Sequence, residues 1–452
     1  MRATNATLLD GEHAPATLSV GTDSRALEAG DTFVALHGER FDGHDFAGEA
    51  VRRGAALLVV DDAAARIPGV ATLVVARTDR AYLQLAGLAA RMFAGTIVGI
   101  TGSNGKTTTK EFLAQLCGVK FRVAASRKNE NNEIGVGKLL LGLSNDEHDV
   151  VIVEMGARHY GDIDLLVEAA RPAVGILTNV GDAHVEIVGS RERLAETKWA
   201  LFSRGATAVL NAQDEVSRER AAALPQRQRT RWFVAVAGAA KLAAFDEFER
   251  LTAVAGDALV AREAGIVERF TIESSLPGLH NRANLAAAVA GAQTLGMVPQ
   301  ELLPAIAGLT LPQGRYDRLT LASGLHLIFD AYNANAAGTI AALDAFAGEK
   351  AARKIAVLAS MAELGDEAER LHERVGEHAG GIVDVLLVSG DFAAALARGA
   401  GRAGLDRANI VVAESNARAA AWLRENASGD DLVLLKGSRK YRMEEIVEEL
   451  QP

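Results

Sequence analysis

One ten-residue segment constrains this chain more than any other: Ile100-Thr101-Gly102-Ser103-Asn104-Gly105-Lys106-Thr107-Thr108-Thr109. A β-branched run, Thr96-Ile97-Val98-Gly99-Ile100, leads into it, and a helical stretch follows. A glycine-rich turn between a strand and a helix is a phosphate cradle, because backbone N–H groups and the positive end of the helix dipole surround an anion. Gly102, Ser103, Asn104, Gly105 and Thr108 belong to that cradle. Lys106 adds a charge for the terminal phosphates, and Thr107 offers a hydroxyl to Mg²⁺. Ile100 stands where the strict G-x-x-x-x-G-K-[ST] pattern begins with Gly, so the loop is a shorter relative of it. A dinucleotide loop has no need of the cation or the metal hydroxyl. A surface turn that happens to carry a Lys does not explain strand, loop and helix together.

The rest of the chain repeats the strand-then-helix rhythm. Val150 to Val153, Val174 to Leu177, Leu325 to Phe329, Ile355 to Leu358, Val385 to Val388 and Leu432 to Leu435 read as buried strands. Ala-rich amphipathic stretches alternate with them, the pattern of parallel sheets covered by helices. At 452 residues the chain should hold two to four domains. Breaks near Met92-Phe93-Ala94-Gly95 and Leu311-Pro312-Gln313-Gly314 divide it into 1–94, 95–312 and 313–452. The expectation is an α/β chain with a small first domain, a central parallel sheet carrying the phosphate loop, and a Rossmann-like third domain.

Composition narrows the function classes. The net charge of −10 argues against a nucleic-acid partner, whose binding rests on neutralising phosphates. The single Cys117 cannot form an internal disulfide, which favours a reducing compartment. Met1 to Val20 lacks the basic and then apolar pattern of a secretory leader, and no apolar run reaches a membrane span's length. A cytoplasmic chain is expected. The basic stretch Arg227 to Arg231 reads as a solvated loop or edge, with a phosphate contact as the other reading.

Past the phosphate loop, two polar islands end predicted strands, where α/β sheets place ligand groups. One is Glu154-Met155-Gly156; the other is Thr178-Asn179-Val180-Gly181-Asp182-Ala183-His184. Glu196-Thr197-Lys198-Trp199 lies on a helix beyond. A Glu and a His converging on the loop would form a Mg²⁺ site completed by nucleotide oxygens and water. Taken singly, His184 reads as a structural histidine and Lys198 as a solvated helix residue. The cluster Asn129 to Gly135 could be a turn bonded to its own backbone or part of the nucleotide site.

Together these islands, with Gly278-Leu279-His280-Asn281-Arg282-Ala283-Asn284, resemble the Mur ligases, which build the peptidoglycan peptide. Asp330-Ala331-Tyr332-Asn333-Ala334-Asn335, Met361-Ala362-Glu363-Leu364-Gly365 and Lys436-Gly437-Ser438-Arg439 are similar to the member that adds D-alanyl-D-alanine. Thr22-Asp23-Ser24-Arg25 and Asp42-Gly43-His44-Asp45-Phe46 resemble the family's uridine-nucleotide-binding domain. The likeness covers essentially the whole chain, and its strength lies in the order and spacing of the islands.

The resemblance implies roles. Thr107, Glu154 and His184 become Mg²⁺ ligands, and Lys198 a carbamylated lysine that joins them; CO₂ turns its amine into a carboxylate that suits the ion. Asn281 and Asn284 lie near the adenine, Arg315 near the terminal phosphate and Asp330 at the ribose of ATP. Asn131 and Asn132 line the nucleotide site; Ser24, Arg25, Asn333 and Asn335 contact substrate. Lys106, Lys198, His184 and Arg315 are the expected catalytic set. Gly137 and Ala336 stand where the family pattern has Pro, which should loosen two loops. The Lys198-Trp199 pair is similar to the sibling that adds a diamino acid, but that sibling's Asp-Asn-Pro-Arg signature is absent, so Trp199 reads as a packing choice.

The implied activity is an ATP- and Mg²⁺-dependent amide ligase joining D-alanyl-D-alanine to a UDP-N-acetylmuramoyl tripeptide through an acyl phosphate. Its partners would be small molecules, and a monomer is expected. The alternatives are a sibling ligase using a diamino acid or glutamate, and a phosphate-loop NTPase serving as a switch or motor.

Overall fold

The computed structural model describes residues 6–15, 19–38, 40–181, 190–225 and 230–451. Among them lie three sheets, each built from consecutive stretches of chain. The first contains β1 (Thr7–Leu9), β2 (Val20–Gly21), β3 (Thr32–Val34), β4 (Leu57–Val60) and β5 (Ala71–Val74) in the order β1-β5-β4-β3-β2. Only β1 runs antiparallel to its neighbour.

The central sheet contains β6 (Thr96–Thr101), β7 (Val123–Ala125), β8 (Val150–Glu154), β9 (Val174–Leu177), β10 (Thr207–Asn211), β11 (Thr230–Val236), β12 (Arg250–Ala255), β13 (Ala258–Glu263) and β14 (Ile266–Thr271). Their order is β14-β13-β12-β11-β10-β9-β6-β8-β7. The strands from β7 to β12 pair in parallel, β6, β8 and β9 among them being the apolar runs read from the sequence. β13 and β14 instead extend the sheet as antiparallel ribbons, which corrects the expectation of a wholly parallel sheet. β14 is mostly exposed, so it carries no buried apolar run to announce it.

Side chains of β6, β8 and β9 alternate between two cores. Val98, Ile100, Val150, Ile152, Val174 and Ile176 point into one, packed under helices Lys106–Cys117 and Gly278–Thr294. Ile97, Val151, Val153 and Leu177 point into the other, under helices Thr78–Met92, Glu133–Leu141 and Asp162–Ala170. Burial on both faces explains why these strands read as continuous apolar runs. Cys117 sits in the first core, where burial pushes its thiol up to about 12, so it stays protonated and unreactive.

The third sheet contains β15 (Asp317–Thr320), β16 (His326–Phe329), β17 (Arg353–Ala359), β18 (Val385–Ser389), β19 (Ile410–Val412) and β20 (Asp431–Lys436), in the order β15-β16-β20-β17-β18-β19. All pairs are parallel except β15 with β16.

Three local expectations change. Gly137 lies inside helix Glu133–Leu141, not in a loop, and a Cβ there would stand 2.5 Å from Tyr82 Cε1; a close helix contact explains the glycine. Ala336 opens helix Ala336–Ala347 behind the Asn335 cap, a position that accepts Pro but does not need it. Arg231 is buried on β11, bonded to Gln293 and Glu263, so it is neither a solvated residue nor a phosphate contact. Residues 227–229 lie outside the described residues. Trp199 packs edge-on to Phe202 at 5.0 Å, the packing role expected of it.

Candidate active site

The phosphate loop turns between β6 and helix Lys106–Cys117, at the C-terminal edge of the central sheet. Gly102 has φ 148°, and a Cβ there would fall 1.8 Å from Thr178 Oγ1. Gly105 caps the helix with φ 81°, and its Cβ would strike Asn284 Oδ1 at 2.2 Å. Neither position admits a side chain, for reasons of both conformation and space. Thr178 and Asn179, at the end of β9, hold the loop from behind: Thr178 Oγ1 donates to the Asn104 carbonyl at 2.6 Å, and the Asn104 amide donates to Asn179 Oδ1 at 3.1 Å. The Gly181 amide donates to Ser103 Oγ at 2.8 Å.

Lys106 Nζ donates to the Gly102 and Ser103 carbonyls at 2.7 and 3.3 Å, which curls the ammonium over the loop. Burial lowers its pKa, Glu154 opposes that shift, and Arg315 adds to it. Glu154, 1% exposed at the end of β8, accepts from Asn131 Nδ2 at 2.9 Å and Thr107 Oγ1 at 3.2 Å, both on Oε1. Its Oε2 is buried without a hydrogen-bond partner among the described residues. A carboxylate oxygen left unpaired in a buried site is costly unless a cation meets it. With Thr107 beside it, this donor set fits Mg²⁺.

Lys198 lines the same cleft and is 1% exposed, so it is not the solvated residue that its polar helix implies. Burial, and then the Lys106 charge, push its pKa well down. His184, the remaining expected ligand, lies outside the described residues.

The Asn129 to Gly135 segment divides its duties. Asn132 caps helix Glu133–Leu141 by accepting from the Gly135 amide at 3.0 Å, while Asn131 reaches Glu154. Lys110, fully buried one turn into the loop helix, donates to the Ser126 and Lys128 carbonyls at 2.5 and 3.3 Å and so pins the start of this segment. Asn281 and Asn284 are buried on helix Gly278–Thr294 at the cleft wall; Thr109 Oγ1 donates to Asn284 Oδ1 at 3.4 Å. Neighbouring His280 keeps a buried Nδ1 without a partner among the described residues, and burial lowers its pKa.

The third sheet closes the cleft with cations. Arg315 stacks on Tyr332 at 4.6 Å from the ring centroid, and Arg439 approaches the same ring at 5.7 Å. Asp330 pairs with buried Lys436 at 3.0 Å, and the Lys436 ammonium also donates to the Asn333 carbonyl at 2.8 Å. Asn335 caps its helix and donates to Asn104 Oδ1 at 2.7 Å.

The resulting cleft, about 1110 Å³, is lined from all three sheet units. It gathers Ser103, Asn104, Gly105, Lys106, Thr107, Thr108, Glu154, Lys198, Asn281, Asn284, Arg315, Asp330, Asn333 and Asn335. A volume at or beyond the usual range for one small ligand has room for more than one. Ser24 and Arg25 are not among its walls: Ser24 is buried and bonded to Glu49, and Arg25 forms an exposed pair with Asp23. Arg77 and Arg80, beside the first turn of helix Thr78–Met92, represent the first unit instead. No local motif marks them; Lys436 and Arg439 lie in a segment noted for its resemblance, without a role attached.

Fold and cleft define a three-sheet α/β enzyme with a phosphate loop whose charged walls converge from separate units. Residues 18–88 match the Mur ligase family catalytic domain, 100–292 the Mur ligase middle domain, and 314–439 the Mur ligase glutamate ligase domain. The chain belongs to the Mur ligase family. It is 37% identical, over 79% of its length and 76% of the relative's, to the UDP-N-acetylmuramoyl-tripeptide–D-alanyl-D-alanine ligase of Synechocystis. Its fold is similar to the crystal structure of MurF from Acinetobacter baumannii, with a TM-score of 0.85 at 27% identity over 99% of this chain and 97% of that one. MurF from Thermotoga maritima, solved in complex with ADP, gives 0.79 at 28% identity over 96% and 97%. No helix among the described residues is long and apolar enough to cross a membrane.

Proposed function

We propose that this chain is the ligase that joins D-alanyl-D-alanine to a UDP-N-acetylmuramoyl tripeptide at the expense of ATP, acting as a cytoplasmic monomer divided at about residues 94 and 312. One observation carries the reading: the phosphate loop, the buried Glu154 with an oxygen unpaired among the described residues, and the Arg315 and Lys436 cations occupy one cleft walled by the central and third sheets and by Arg77 and Arg80 at the head of helix Thr78–Met92. A nucleotide switch needs only the first of these features.

In this reading Lys106 and the loop amides hold the β- and γ-phosphates, Asn281 and Asn284 border the adenine, and Asp330 takes the ribose. Thr107, Glu154, His184 and a carbamylated Lys198 would hold Mg²⁺, which when bound neutralises phosphate charge. Burial supports the carbamate, because it favours the neutral amine, the form that adds CO₂. The γ-phosphoryl group passes to the tripeptide carboxylate, ADP leaves, and an acyl phosphate remains. Lys106 and Arg315 face the charge that builds during transfer, where preorganised cations act most strongly. The dipeptide amine then attacks the acyl carbon, forms the amide and expels phosphate, losing its proton. Closure of the third unit over the loop keeps water from the acyl phosphate.

The test is phosphate release with ATP, tripeptide precursor and D-alanyl-D-alanine, each omitted in turn. Sustained release should require all three. Steady hydrolysis with ATP alone would hand the chain to the switch or motor reading.

A further inference from the structure

The first sheet unit carries a side-chain cluster that the nucleotide cleft does not use. His37 and His44 flank the turn after β3, with their rings stacked at 4.8 Å between centroids. Asp42 lies between them. One of its oxygens is 2.7 Å from His44 Nδ1, and the other is 3.1 Å from His37 Nδ1. The opposite ring nitrogens share a second carboxylate: His37 Nε2 and His44 Nε2 lie 2.9 and 3.2 Å from Asp61 Oδ1.

We propose that His37, His44 and Asp61 form a binding site for Zn²⁺, with Asp42 as the carboxylate that orients both imidazoles. The donor atoms lie within 4.8 Å of one another. Tetrahedral Zn²⁺ with bonds of roughly 2.0–2.1 Å needs ligand atoms about 3.3 Å apart, so two of the three separations are nearly met. The third closes by a rotation of the His37 ring about its Asp42 contact, for which its 57% exposed side chain has room. Ligating histidines characteristically give their other N–H to a carboxylate, which fixes tautomer and direction. Here a single Asp42 does this for both rings. Two imidazoles and one carboxylate suit Zn²⁺, whereas Mg²⁺ prefers an all-oxygen shell. The open side of His37 leaves the fourth position to water. His44 Nε2 also accepts the Asp61 amide at 3.1 Å, so coordination exchanges one hydrogen bond for the metal.

The cluster has a mechanical connection. Asp61 Oδ2 accepts from the Thr78 amide at 3.1 Å, at the start of the helix whose neighbours Arg77 and Arg80 line the cleft. A cation on Asp61 Oδ1 would tie the His37–His44 turn to that helix.

The experiment uses the full chain, stripped with chelator and dialysed against Zn²⁺ in the presence of excess Mg²⁺ and ADP, followed by metal analysis. One retained equivalent is expected in the wild type and in Glu154→Gln, and none in His37→Gln, whose exposed side chain makes misfolding a poor explanation. Asp42→Asn should weaken retention by about 10–100-fold. Co²⁺ in place of Zn²⁺ should give visible absorption bands of a four-coordinate site that His37→Gln and His44→Gln both lose. Wild type that keeps no Zn²⁺, His37→Gln that keeps it, or loss through Glu154→Gln instead would each overturn the proposal.

Discussion

Asn335, at the head of a third-unit helix, donates a hydrogen bond to the side chain of Asn104 in the phosphate loop at 2.7 Å. The direction is fixed, because Asn335 Oδ1 already accepts the Gly338 amide at 2.8 Å, leaving Nδ2 for Asn104. One residue therefore caps its helix and links two units. The two duties can be separated. Asn335→Asp keeps the cap acceptor but sets a carboxylate against the Asn104 oxygen. It should keep the wild-type melting temperature within a few degrees while kcat/KM for ATP drops about tenfold, equivalent to a lost hydrogen bond of ~1.4 kcal/mol. Asn335→Ala should lose the cap as well, about 1 kcal/mol of stability. Equal melting losses in both variants would show that the link to Asn104, which both lose, carries the stability and the cap adds nothing.

Lys106→Ala and Glu154→Ala should each reduce kcat by about 10²-fold or more, the scale of one lost electrostatic stabiliser. Their effects on stability should differ. Burial disfavours the Lys106 ammonium, so its removal should leave unfolding by urea nearly unchanged. Glu154 anchors Asn131 and Thr107, so its removal should lower the urea midpoint measurably. Near-normal phosphate release from either variant would remove it from the catalytic set.

Lys198 should carry a carbamate when bicarbonate and Mg²⁺ are present. A buried amine held low by its surroundings is poorly suited to remain an ammonium. Incubation with ¹³C-bicarbonate should give a carbamate carbon resonance that is missing from Lys198→Ala. That variant should be inactive and partly rescued by a short carboxylic acid in the buffer. A wild-type spectrum without the resonance under turnover conditions would count against the modification.

What the sequence made legible was local. Gly102 and Gly105 take positive φ within the turn itself, and buried strands betray themselves by apolar runs, so the loop and strands β6, β8, β9, β16, β17, β18 and β20 could be read directly. The hairpin extension β13–β14 was not legible, since β14 alternates no apolar face with a polar one. Lys198 looked solvated because its helix is polar, and only packing against the cleft buries it. Arg77 and Arg80 were missed for the same reason: a surface arginine becomes a cleft wall only when separate units meet. Ser24 and Arg25 show the converse, a recognisable segment that turns to partners of its own.

Acid should weaken the third unit through Asp431. Its carboxylate takes a two-pronged bond from Arg353 at 3.1 and 2.8 Å, with the Ser428 amide at 2.7 Å, and the Arg353 bond chiefly lowers its pKa. A carboxylate depressed in the folded state contributes stability above its unfolded value, about 3.9, and loses it as pH falls toward the folded one. Asp431→Asn should thus be less stable than wild type by roughly 1.5–3 kcal/mol at neutral pH. The difference in urea midpoint should shrink as pH drops below about 4. A difference that holds constant across that range would exclude the ion pair as its source.

The amine specificity should reside in the third unit, around Asn333 and the Met361 to Gly365 turn. That turn is held rigidly: the Met361 amide donates to His372 Nε2 at 2.7 Å, and His372 Nδ1 is 2.6 Å from the Ala368 carbonyl. One ring nitrogen accepting and the other donating fixes a neutral tautomer, in line with the lowered pKa that burial imposes. Ala362 and Glu363 from this turn line the cleft beside Asn333 and Ser438. Fixed polar groups reject an analogue strongly when it leaves them unpaired. With tripeptide precursor and ATP, D-alanyl-D-alanine should therefore give a pentapeptide product, while L-alanyl-L-alanine, diaminopimelate and lysine should not. His372→Ala, which frees the turn, should raise the KM for D-alanyl-D-alanine well above any change in the KM for ATP. A dipeptide precursor extended by one diamino acid would instead assign the chain to the sibling ligase, and equal KM changes for both substrates would place His372 in general folding.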